Sequence, residues 1–475
     1  MNALVWFRRD LRVADNTALH HASDDGQRAV IGIFLLAPGQ WLEHDEAPCK
    51  VDFWLRNLKE LRTELGRLNI PLLVRPAERF HEAPQALLRA ASEHGCELLH
   101  FNREYEVNEQ ARDRAVEEAF AERGLVARGF DDRVILEPGS VLTRKHEYYQ
   151  VFTPYRNRWR DTVSERDVDP LPPPPRQEPA GIDSDRVPET VEAFVASEVD
   201  PTLWPAGEAR AMERLEAFSG EKLERYGVDR DRYALDATSG LSPYLAAGVL
   251  SPRQCLEAAL AENRGRLSSG REGPLAWMDE LIWREFFQHV LVGFPRVSMH
   301  QPFRQESDLV AWNEDEEHFR AWCEARTGYP VVDAAMRQLV QVGWMHNRLR
   351  MIVAMFLSKH LLIDWRRGEK YFMRHLIDGD LGSNNGGWQW SASTGTDAAP
   401  YFRMFNPTKQ SRRFDPEGEF LRRYLPELDR LGADSIHEPA RLPEDDRKRL
   451  EYPDPIVDHQ AARERVIERF EEARK

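Results

Sequence analysis

The sequence predicts an α/β domain built on a doubly wound, five-stranded parallel sheet of the Rossmann type, followed by a large all-α domain. Two observations predict this division. In the first third of the chain, short apolar runs alternate with stretches of helical spacing, which is typical of a parallel sheet flanked by helices. After about residue 205 the strand-like runs stop. We therefore expect domains at 1–131 and 206–475, joined by a proline-rich linker at 132–205.

The first domain begins with four apolar runs at 3–7, 29–36, 71–74 and 98–101, each short enough for a buried strand. Helical spacing lies between them at 51–68 and 83–93. Asp15 or Asn16 suits the N-cap of the first helix. No GxGxxG motif follows the first strand and no GxxxxGK[ST] motif occurs. The sheet therefore has neither of the usual nucleotide-binding fingerprints.

Prolines dominate the linker, where Pro170 stands shortly before the run 172–175. Proline lacks the backbone donor that a helix or a sheet interior needs, so we expect a long surface crossing here. The second domain has helical spacing at 251–262, 275–292, 316–325, 330–342, 345–362, 365–376 and 456–474.

Composition excludes several classes of protein. Among 475 residues, 41% are hydrophobic and 31% are charged, as in a soluble globular chain. No run of 18 apolar residues is free of charge, so we expect no membrane span. The four cysteines form no CxxC pair, which favours a reduced, cytoplasmic protein. The net charge of −15 argues against a generic nucleic-acid coat protein, although a local basic patch stays possible.

Tryptophan is the informative residue type: there are 13, most of them after residue 270. The segment 378–405 contains Trp388 and Trp390 among many Gly, Asn, Ser and Thr residues. This composition is too rich in small and polar residues for a packed helix interior. Close backbone approach to a large planar ligand would explain it, and so would a tight helix junction plugged by aromatic rings. In a helical register, Asn384 and Trp388 share one face while Trp390 points elsewhere.

Two further clusters lie on predicted helices. Trp277, Glu280 and Arg284 follow each other at helical spacing, with Trp283 at the edge of the stripe. A carboxyl group among aromatic rings would have a raised pKa and could donate a hydrogen bond. An amphipathic helix with an Arg–Glu pair would account for the same residues.

The third cluster is the segment 344–351. Asn347 and Met351 share a face, while Arg348 and Arg350 point elsewhere, each suited to a phosphate or a buried carboxylate. A helix surface carrying arginines is the simpler interpretation, and His346 suits a structural role.

Together, these motifs closely resemble the photolyase/cryptochrome family, and within it the class I cyclobutane pyrimidine dimer photolyases. The resemblance extends along the whole chain, from Leu4-Val-Trp-Phe-Arg-Arg-Asp-Leu-Arg12 to Tyr452-Pro-Asp-Pro-Ile-Val457. Between them lie Thr238–Ser242, Glu280-Leu-Ile-Trp-Arg-Glu285, Thr327-Gly-Tyr-Pro330, the segment 344–351 and the segment 378–407.

The resemblance implies that the helical domain buries FAD in a folded, U-shaped form. The flavin contacts that it implies are Tyr226, Thr238, Ser239, Gly240, Leu241, Ser242, Trp277, Arg284, Asn347, Arg350, Asp378, Gly379, Asp380 and Asn384. Hydroxyls of the 238–242 run would hold a phosphate, and Arg350 would pair with Asp378. Asn384 would face flavin N5, where a neutral amide accepts from the protonated nitrogen and favours the reduced forms.

The implied reaction is light-driven and redox-neutral: reduced, excited FAD passes an electron to a flipped-out pyrimidine dimer in DNA, the cyclobutane ring opens and the electron returns. Glu280 would hydrogen-bond the dimer. Asn347 and Met351 would line its pocket, and Trp283 and Trp390 would stack against it. Arg230, Arg348 and Arg403 would contact phosphates of UV-damaged DNA. Trp312, Trp365 and Trp388 occupy the positions of the family's tryptophan relay. A monomer is the family default.

A second, light-harvesting chromophore is also implied. Tyr105-Glu-Val-Asn-Glu109 matches the family segment that holds methenyltetrahydrofolate, with Asn108 and Glu109 as contacts. Folate-binding relatives carry Cys and Lys where this chain has Ser298 and Met299. Folate is the favoured antenna, while a deazaflavin or no antenna stays open.

Three rivals stay open beside dimer repair. A cryptochrome photoreceptor usually carries a long C-terminal extension, which this sequence does not show. A (6-4) photolyase would place a histidine at the position of Met351. A flavin electron carrier without a DNA substrate would leave Trp283 and Trp390 without a role.

Overall fold

Five strands form one parallel sheet in the first part of the computed structural model, which describes residues 2–24, 26 and 28–473. The strands are β1 (Asn2–Phe7), β2 (Val30–Leu36), β3 (Leu72–Pro76), β4 (Cys96–Asn102) and β5 (Val126–Phe130), in the order β3-β2-β1-β4-β5. All four pairings are parallel. The predicted doubly wound, five-stranded sheet is therefore confirmed.

The helices of this part are α1 (Thr17–Ser23), α2 (Pro38–Glu43), α3 (Pro48–Arg67), α4 (Ala83–Glu93), α5 (Val107–Glu122), α6 (Phe152–Ser164) and α7 (Glu208–Glu221). Leu4 and Trp6 of β1 pack with Leu87 of α4 and Val116 of α5 on one face of the sheet. On the other face, the Cα of Gly32 lies so close to Leu65 of α3 that a Cβ would meet its side chain at 3.4 Å. Helices therefore cover both faces, as the alternation of strands and helices predicts.

After residue 224 the described chain is helical, and the expected absence of further strands holds for it. The helices are α8 (Tyr226–Asp229), α9 (Ser242–Ala247), α10 (Pro252–Glu262), α11 (Glu272–Gly293), α12 (Glu316–Cys323), α13 (Pro330–Val342), α14 (Asn347–Met355), α15 (Trp365–Met373), α16 (Leu381–Ala392), α17 (Pro407–Phe414), α18 (Glu419–Tyr424), α19 (Ala433–Ile436), α20 (Glu444–Lys448) and α21 (His459–Glu472). Arg474, the end of the last predicted helix, lies outside the described residues.

The chain divides into two compact units. Unit one contains residues 1–224, 239–298 and 377–379, and unit two contains 225–238, 299–376 and 380–475. The core of unit two is a cluster of fully buried side chains that includes Trp322 and Trp365. The predicted domains at 1–131 and 206–475 with a linker at 132–205 stay a prediction.

Three elements differ from the sequence prediction. β5 contains Arg128 and Gly129 and has no apolar run, because it is an edge strand whose buried residues are only its last two. The predicted helix 345–362 is an α-helix only to Met355 and continues as a π-helical turn, Phe356–His360. The composition of 378–405 suggests that it cannot form a packed helix interior, and this is wrong: Leu381–Ala392 is helical and mostly buried.

Candidate active site

The residues implied as flavin contacts are distributed over both units. Unit one holds Ser239, Gly240, Leu241, Ser242, Trp277, Arg284, Asp378 and Gly379. Unit two holds Tyr226, Thr238, Asn347, Arg350, Asp380 and Asn384. The predicted pair of Arg350 with Asp378 stays a prediction.

In unit one, the Ser239–Ser242 run forms a tight turn before α9. Gly240 has a φ of +60°, and a Cβ there would lie 2.7 Å from the Arg214 guanidinium. Arg214 in turn donates to the Gly240 carbonyl over 3.1 Å. The turn therefore combines hydroxyl groups, a glycine without a side chain and a nearby cation, which is a chemistry that suits a phosphate. No local sequence pattern connects Arg214 to this turn, because it lies 26 positions away on α7.

Trp277 and Arg284 both lie on α11, as the helical spacing predicts. Trp277 is buried against Phe218, with ring centroids 4.9 Å apart. Arg284 donates to the backbone carbonyl of Arg133 over 2.7 Å and approaches that of Leu245, on α9, at 3.4 Å. These contacts fix the guanidinium of Arg284 between α11 and α9 within unit one.

In unit two, α16 presents Asn384 from a buried position. The N-cap residue Asp380 accepts from the Ser383 backbone, which starts the helix. The Asn384 Nδ2 atom donates to the Glu369 carbonyl over 2.9 Å. Since the amide nitrogen is committed to that carbonyl, the Oδ1 atom is the end that remains to accept from a ligand. This arrangement fits the implied contact with a protonated flavin nitrogen.

The third cluster lies at the start of α14. The His346 side chain caps the helix by accepting from Arg348 N, which confirms its structural role. Arg350 donates to the Met345 carbonyl over 2.7 Å. Asn347 is exposed and Met351 is half-buried.

Of the predicted phosphate contacts, Arg348 already has a partner. Its Nη2 lies 2.5 Å from Asp231, and its guanidinium carbon lies 4.9 Å from the centre of the Phe414 ring. Arg230 is half-buried, with its guanidinium carbon 5.8 Å from the Tyr226 ring centre. Arg403 is exposed. Of these three arginines, Arg403 has the most open side chain.

Two tryptophans were expected to stack against the substrate. Trp283, in unit one, lies face to face with Phe152 of α6, with ring centroids 3.7 Å apart and planes at 7°. Phe152 is 131 positions away, and no local pattern connects it to Trp283. Trp390, in unit two, is half-buried on α16, and its carbonyl accepts from Ala399 N over 3.2 Å. Glu280 is half-buried on α11.

The three tryptophans of the implied relay all lie in unit two. Trp388 and Trp365 are buried, and Trp312 is half-buried against Phe470 of α21. Trp388 contacts Phe372 at 5.0 Å and Trp322 at 6.0 Å between ring centroids. The wholly buried Trp322 is a fourth indole in this core, and its position in a predicted helix gave no sign of it.

The implied antenna contacts lie in unit one. Asn108 Nδ2 lies 3.0 Å from His44 Nε2, and Val107 N donates to Ser298 Oγ over 3.0 Å. Glu109 is buried, and this burial, together with the charge of Glu106, raises the pKa of Glu109.

Beside Glu109 the structure has an open cavity that no local sequence pattern predicts. Its lining combines aromatic rings with charged groups, and includes Trp6, Phe34, Trp41, Trp54, Phe80, Arg8, Arg9, Arg112, His44 and Glu109. Several of these residues end or follow β1 and β2, so the cavity lies at the carboxyl edge of the sheet. Open α/β sheets commonly bind ligands at this edge.

The fold and these sites define a flavin-binding protein of the photolyase type. The family model described as the FAD binding domain of DNA photolyase matches residues 277–472, and the one described as DNA photolyase matches 3–177. The chain therefore belongs to the DNA photolyase family and carries its FAD-binding domain.

Individual relatives match along the full chain. A protein of Salmonella typhimurium named deoxyribodipyrimidine photo-lyase is 46% identical over 472 residues, which cover 99% of each chain. The crystal structure of a class III photolyase from Agrobacterium tumefaciens is 35% identical, with a TM-score of 0.86 and 100% and 98% of the two chains covered. The structure of a Synechocystis cryptochrome has the same TM-score at 29% identity, with 98% of each chain covered.

The described residues contain no helix that is long and apolar enough to cross a membrane. Nor do they group three or more His, Cys, Asp or Glu side chains as a metal site would require.

Proposed function

We propose that this chain splits cyclobutane pyrimidine dimers in UV-damaged DNA, in a light-driven and redox-neutral reaction that uses bound, reduced FAD. The observation that carries this proposal is the full-length match, at 46% identity, to a protein named deoxyribodipyrimidine photo-lyase. The structural fit to FAD supports it. The Asn384 amide has an acceptor end that can face a ligand, and the Gly240 turn combines serine hydroxyls with the nearby Arg214 cation.

When bound, reduced FAD supplies one electron to the dimer on absorbing light and takes it back after the ring opens. The protein's own residues bind, orient and exclude water. The residues that would contact the cofactor include Trp277, Arg284, Asn347, Arg350, Asp380 and Asn384. The hydrogen bond of Asn384 to Glu369 would keep its carbonyl directed at the cofactor.

The substrate residues have separate roles. Glu280 would donate a hydrogen bond to a carbonyl of the dimer and stabilise the negative charge that develops there. Trp283 and Trp390 would stack on the flipped-out bases, and each stack would contribute about 1–3 kcal/mol. The ring of Phe152 stacks against Trp283 and would hold it in place. Arg403 would contact a phosphate of the DNA, and Arg230 and Arg348 would contact further phosphates.

Trp312, Trp365 and Trp388 would form an electron relay that reduces the cofactor in light, with Trp312 as its outer member. The half-buried position of Trp312 supports this order, because Trp365 and Trp388 are buried.

An antenna chromophore would bind in unit one. The aromatic and charged lining of the cavity beside Glu109 suits a planar, polar molecule. Glu109 lines the cavity and Asn108 contacts its neighbour His44. We favour methenyltetrahydrofolate, with a deazaflavin as the second candidate because the usual Cys and Lys are replaced by Ser298 and Met299. Extraction of the purified protein and mass spectrometry of the released chromophores distinguish the two.

We further propose that the protein acts as a cytoplasmic monomer at the nucleoid. The proposed domain 1–131 would bind the antenna, and the proposed domain 206–475 would bind FAD and the DNA lesion. Gel filtration with light scattering tests the oligomeric state.

The deciding experiment is an absorbance assay. The flavin is reduced, a thymine-dimer oligonucleotide is added, and the recovery of base absorbance in the UV is followed under near-UV to blue light. Recovery that requires both light and the dimer supports the proposal. No recovery from a protein with photoreducible FAD would favour a cryptochrome, and repair of a (6-4) photoproduct instead would favour that class.

The variant Glu280→Ala should lower the yield of repair and leave FAD binding intact. Unchanged repair in this variant would contradict the role of Glu280. A flavin electron carrier would bind damaged and undamaged DNA equally weakly, which a binding assay in the dark would show.

A further inference from the structure

A lysine is buried beneath the turn that carries Arg403. Lys359 has no exposed surface, and its Nζ donates to the carbonyl of Arg403 over 2.9 Å. It also approaches the Pro400 carbonyl at 3.4 Å. Arg403 N donates to the same Pro400 carbonyl over 2.8 Å and closes the turn. On the outer side of this 400–403 turn, Phe402 is 56% exposed and Arg403 is exposed.

Lys359 lies in the π-helical turn Phe356–His360, between α14 and α15. Such single π turns often occur at functional sites. Here the widened turn follows the helix of Asn347 and Met351 and precedes Trp365. The hydroxyl of Ser358 donates to the Ala354 carbonyl over 2.7 Å and anchors the turn. Lys359 therefore lies in a hydrogen-bonded helical turn and not in a loop.

The ammonium group has no compensating anion. In the described part of the chain, no carboxylate forms an ion pair with Lys359. Burial, and then the charge of Arg403, lowers the pKa of Lys359 to about 7. Protonated and neutral forms therefore coexist near neutral pH, and a small change in the local charge would change their ratio.

The other charged or titratable groups around this segment have partners of their own. His360 pairs with His459 at 3.0 Å, and Arg465 of α21 donates to the His360 carbonyl. α16 contains no charged residue between Leu381 and Ala392. The charged groups of α14 and α15 with identified contacts are Arg348 with Asp231, Arg350 with Met345, Arg366 with Asp308, Arg367 with Glu316 and Glu369 with His300. Among the charges of the described residues, that of Arg403 is the one identified as lowering the pKa of Lys359.

We propose that Lys359 is a positioning residue that takes up a proton when the 400–403 turn engages the DNA backbone. This inference rests on the proposed function only in requiring that DNA binds through Arg403. A phosphate on Arg403 would offset the positive field that opposes protonation of Lys359. The resulting ammonium has three donors in place of two and holds both carbonyls of the turn more firmly.

Thermodynamic linkage then makes DNA binding depend on pH. Because the complex binds more protons than the free protein, the affinity must rise as the pH falls through the titration of Lys359. If DNA binding raises the pKa of Lys359 by one unit, Kd changes tenfold across the titration range.

The test is the Kd of the purified holoenzyme, measured in the dark at constant ionic strength and at several pH values from 6.5 to 9. The probes are a duplex with one thymine dimer and the same duplex undamaged. We expect Kd to rise with pH for both duplexes, because Arg403 contacts the backbone of each. A Kd that does not change with pH would overturn the proposal.

Two variants identify the group. Lys359→Met should remove the pH dependence, whereas Lys370→Met, the same change at an exposed position on α15, should retain it. Retention of the pH dependence in Lys359→Met would overturn the assignment. Circular dichroism and thermal unfolding establish that each variant is folded.

If Lys359→Met does not fold, the unmodified protein and Arg403→Ala are compared by titration calorimetry in place of that variant. Titration with DNA in two buffers of different ionisation enthalpy gives the number of protons taken up. We expect uptake of a fraction of one proton near pH 7.5 in the unmodified protein and its loss in Arg403→Ala. Absence of uptake in the first, or equal uptake in both, would contradict the proposal.

These outcomes are independent of the repair reaction. Failure of the proposed function would appear as equal affinity for the two duplexes and no light-dependent repair. Failure of the inference would appear as pH-independent binding, whichever duplex is preferred.

Discussion

The side-chain amide of Asn384 on α16 donates to the backbone carbonyl of Glu369 on α15 over 2.9 Å. The bond joins two helices and also decides which end of the amide is left to face a ligand. Both residues are buried, so water does not compete with the bond.

Replacement of Asn384 by Asp should remove this bond, because a carboxylate has no hydrogen to donate to the Glu369 carbonyl. We expect a loss of about 1–3 kcal/mol in the free energy of unfolding. We also expect faster air oxidation of the reduced flavin. Urea denaturation and the absorbance of the reoxidising flavin measure the two effects. Ser383→Ala, at an exposed position on the same helix, is the control. Unchanged oxidation in Asn384→Asp would contradict the proposed contact.

Replacement of Trp283 by Ala should weaken binding of dimer-containing DNA by roughly 5- to 150-fold, the equivalent of about 1–3 kcal/mol of stacking. The flavin spectrum should not change. Phe152→Leu, which removes only the ring that supports Trp283, should have a smaller effect in the same direction. Equal losses for damaged and undamaged DNA in Trp283→Ala would show that the ring does not stack on the lesion.

Replacement of Trp312 by Phe should separate light-driven reduction from repair. Phenylalanine keeps most of the packing against Phe470 but is much harder to oxidise than indole. Photoreduction of the oxidised flavin should therefore fall to near the detection limit. Repair by chemically reduced protein should be unaffected. Normal photoreduction in this variant would remove Trp312 from the relay.

The buried histidine at the start of α14 predicts a pH effect on stability. Burial lowers the pKa of His346 to about 4, below the ordinary value of 6.5. The unfolded chain therefore binds this proton more readily, and the stability contributed by the neutral ring is lost as the pH falls from about 6.5 toward 4. Asparagine is an equally good N-cap that does not titrate.

His346→Asn should therefore be less destabilising at pH 5 than at pH 7.5, by about 1 to 2 kcal/mol. Urea denaturation at the two pH values measures the difference. His81→Asn, at an exposed position, is the reference. Equal destabilisation by His346→Asn at both pH values would contradict the assigned shift.

Much of the fold could be predicted because it depends on local periodicity. The strands β1 and β2 are almost wholly apolar, and α4 and α13 begin and end at the predicted residues, 83–93 and 330–342. β5 could not be found in this way, because an edge strand is buried on fewer sides and Gly129 lies against the ring of Phe101. All five residues of the π-helical turn Phe356–His360 are buried, so the turn has no amphipathic pattern that would reveal it in the sequence.

Composition was misleading for α16. Its Gly, Ser and Asn residues are typical of loops, yet the helix is buried because small side chains allow its neighbours to approach closely. Contacts distant in sequence were also invisible, as Arg214 with Gly240, Trp283 with Phe152 and Lys359 with Arg403 show. The helical spacing of Trp277, Glu280 and Arg284 predicted their common helix, but not the carbonyls that fix Arg284.

The approach of α15 to α16 has a consequence for electron transfer. At Gly368 any side chain would overlap the outer edge of the Trp388 ring, and Leu357 closes the same space. The indole is therefore confined to one orientation in a core where packing leaves no alternative. In the proposed relay, a ring that gains or loses an electron would do so without moving and with few nearby dipoles to rearrange. In that relay, the missing side chain of Gly368 would keep the reorganisation of Trp388 small, and a larger residue there would slow the transfer even if the protein still folded.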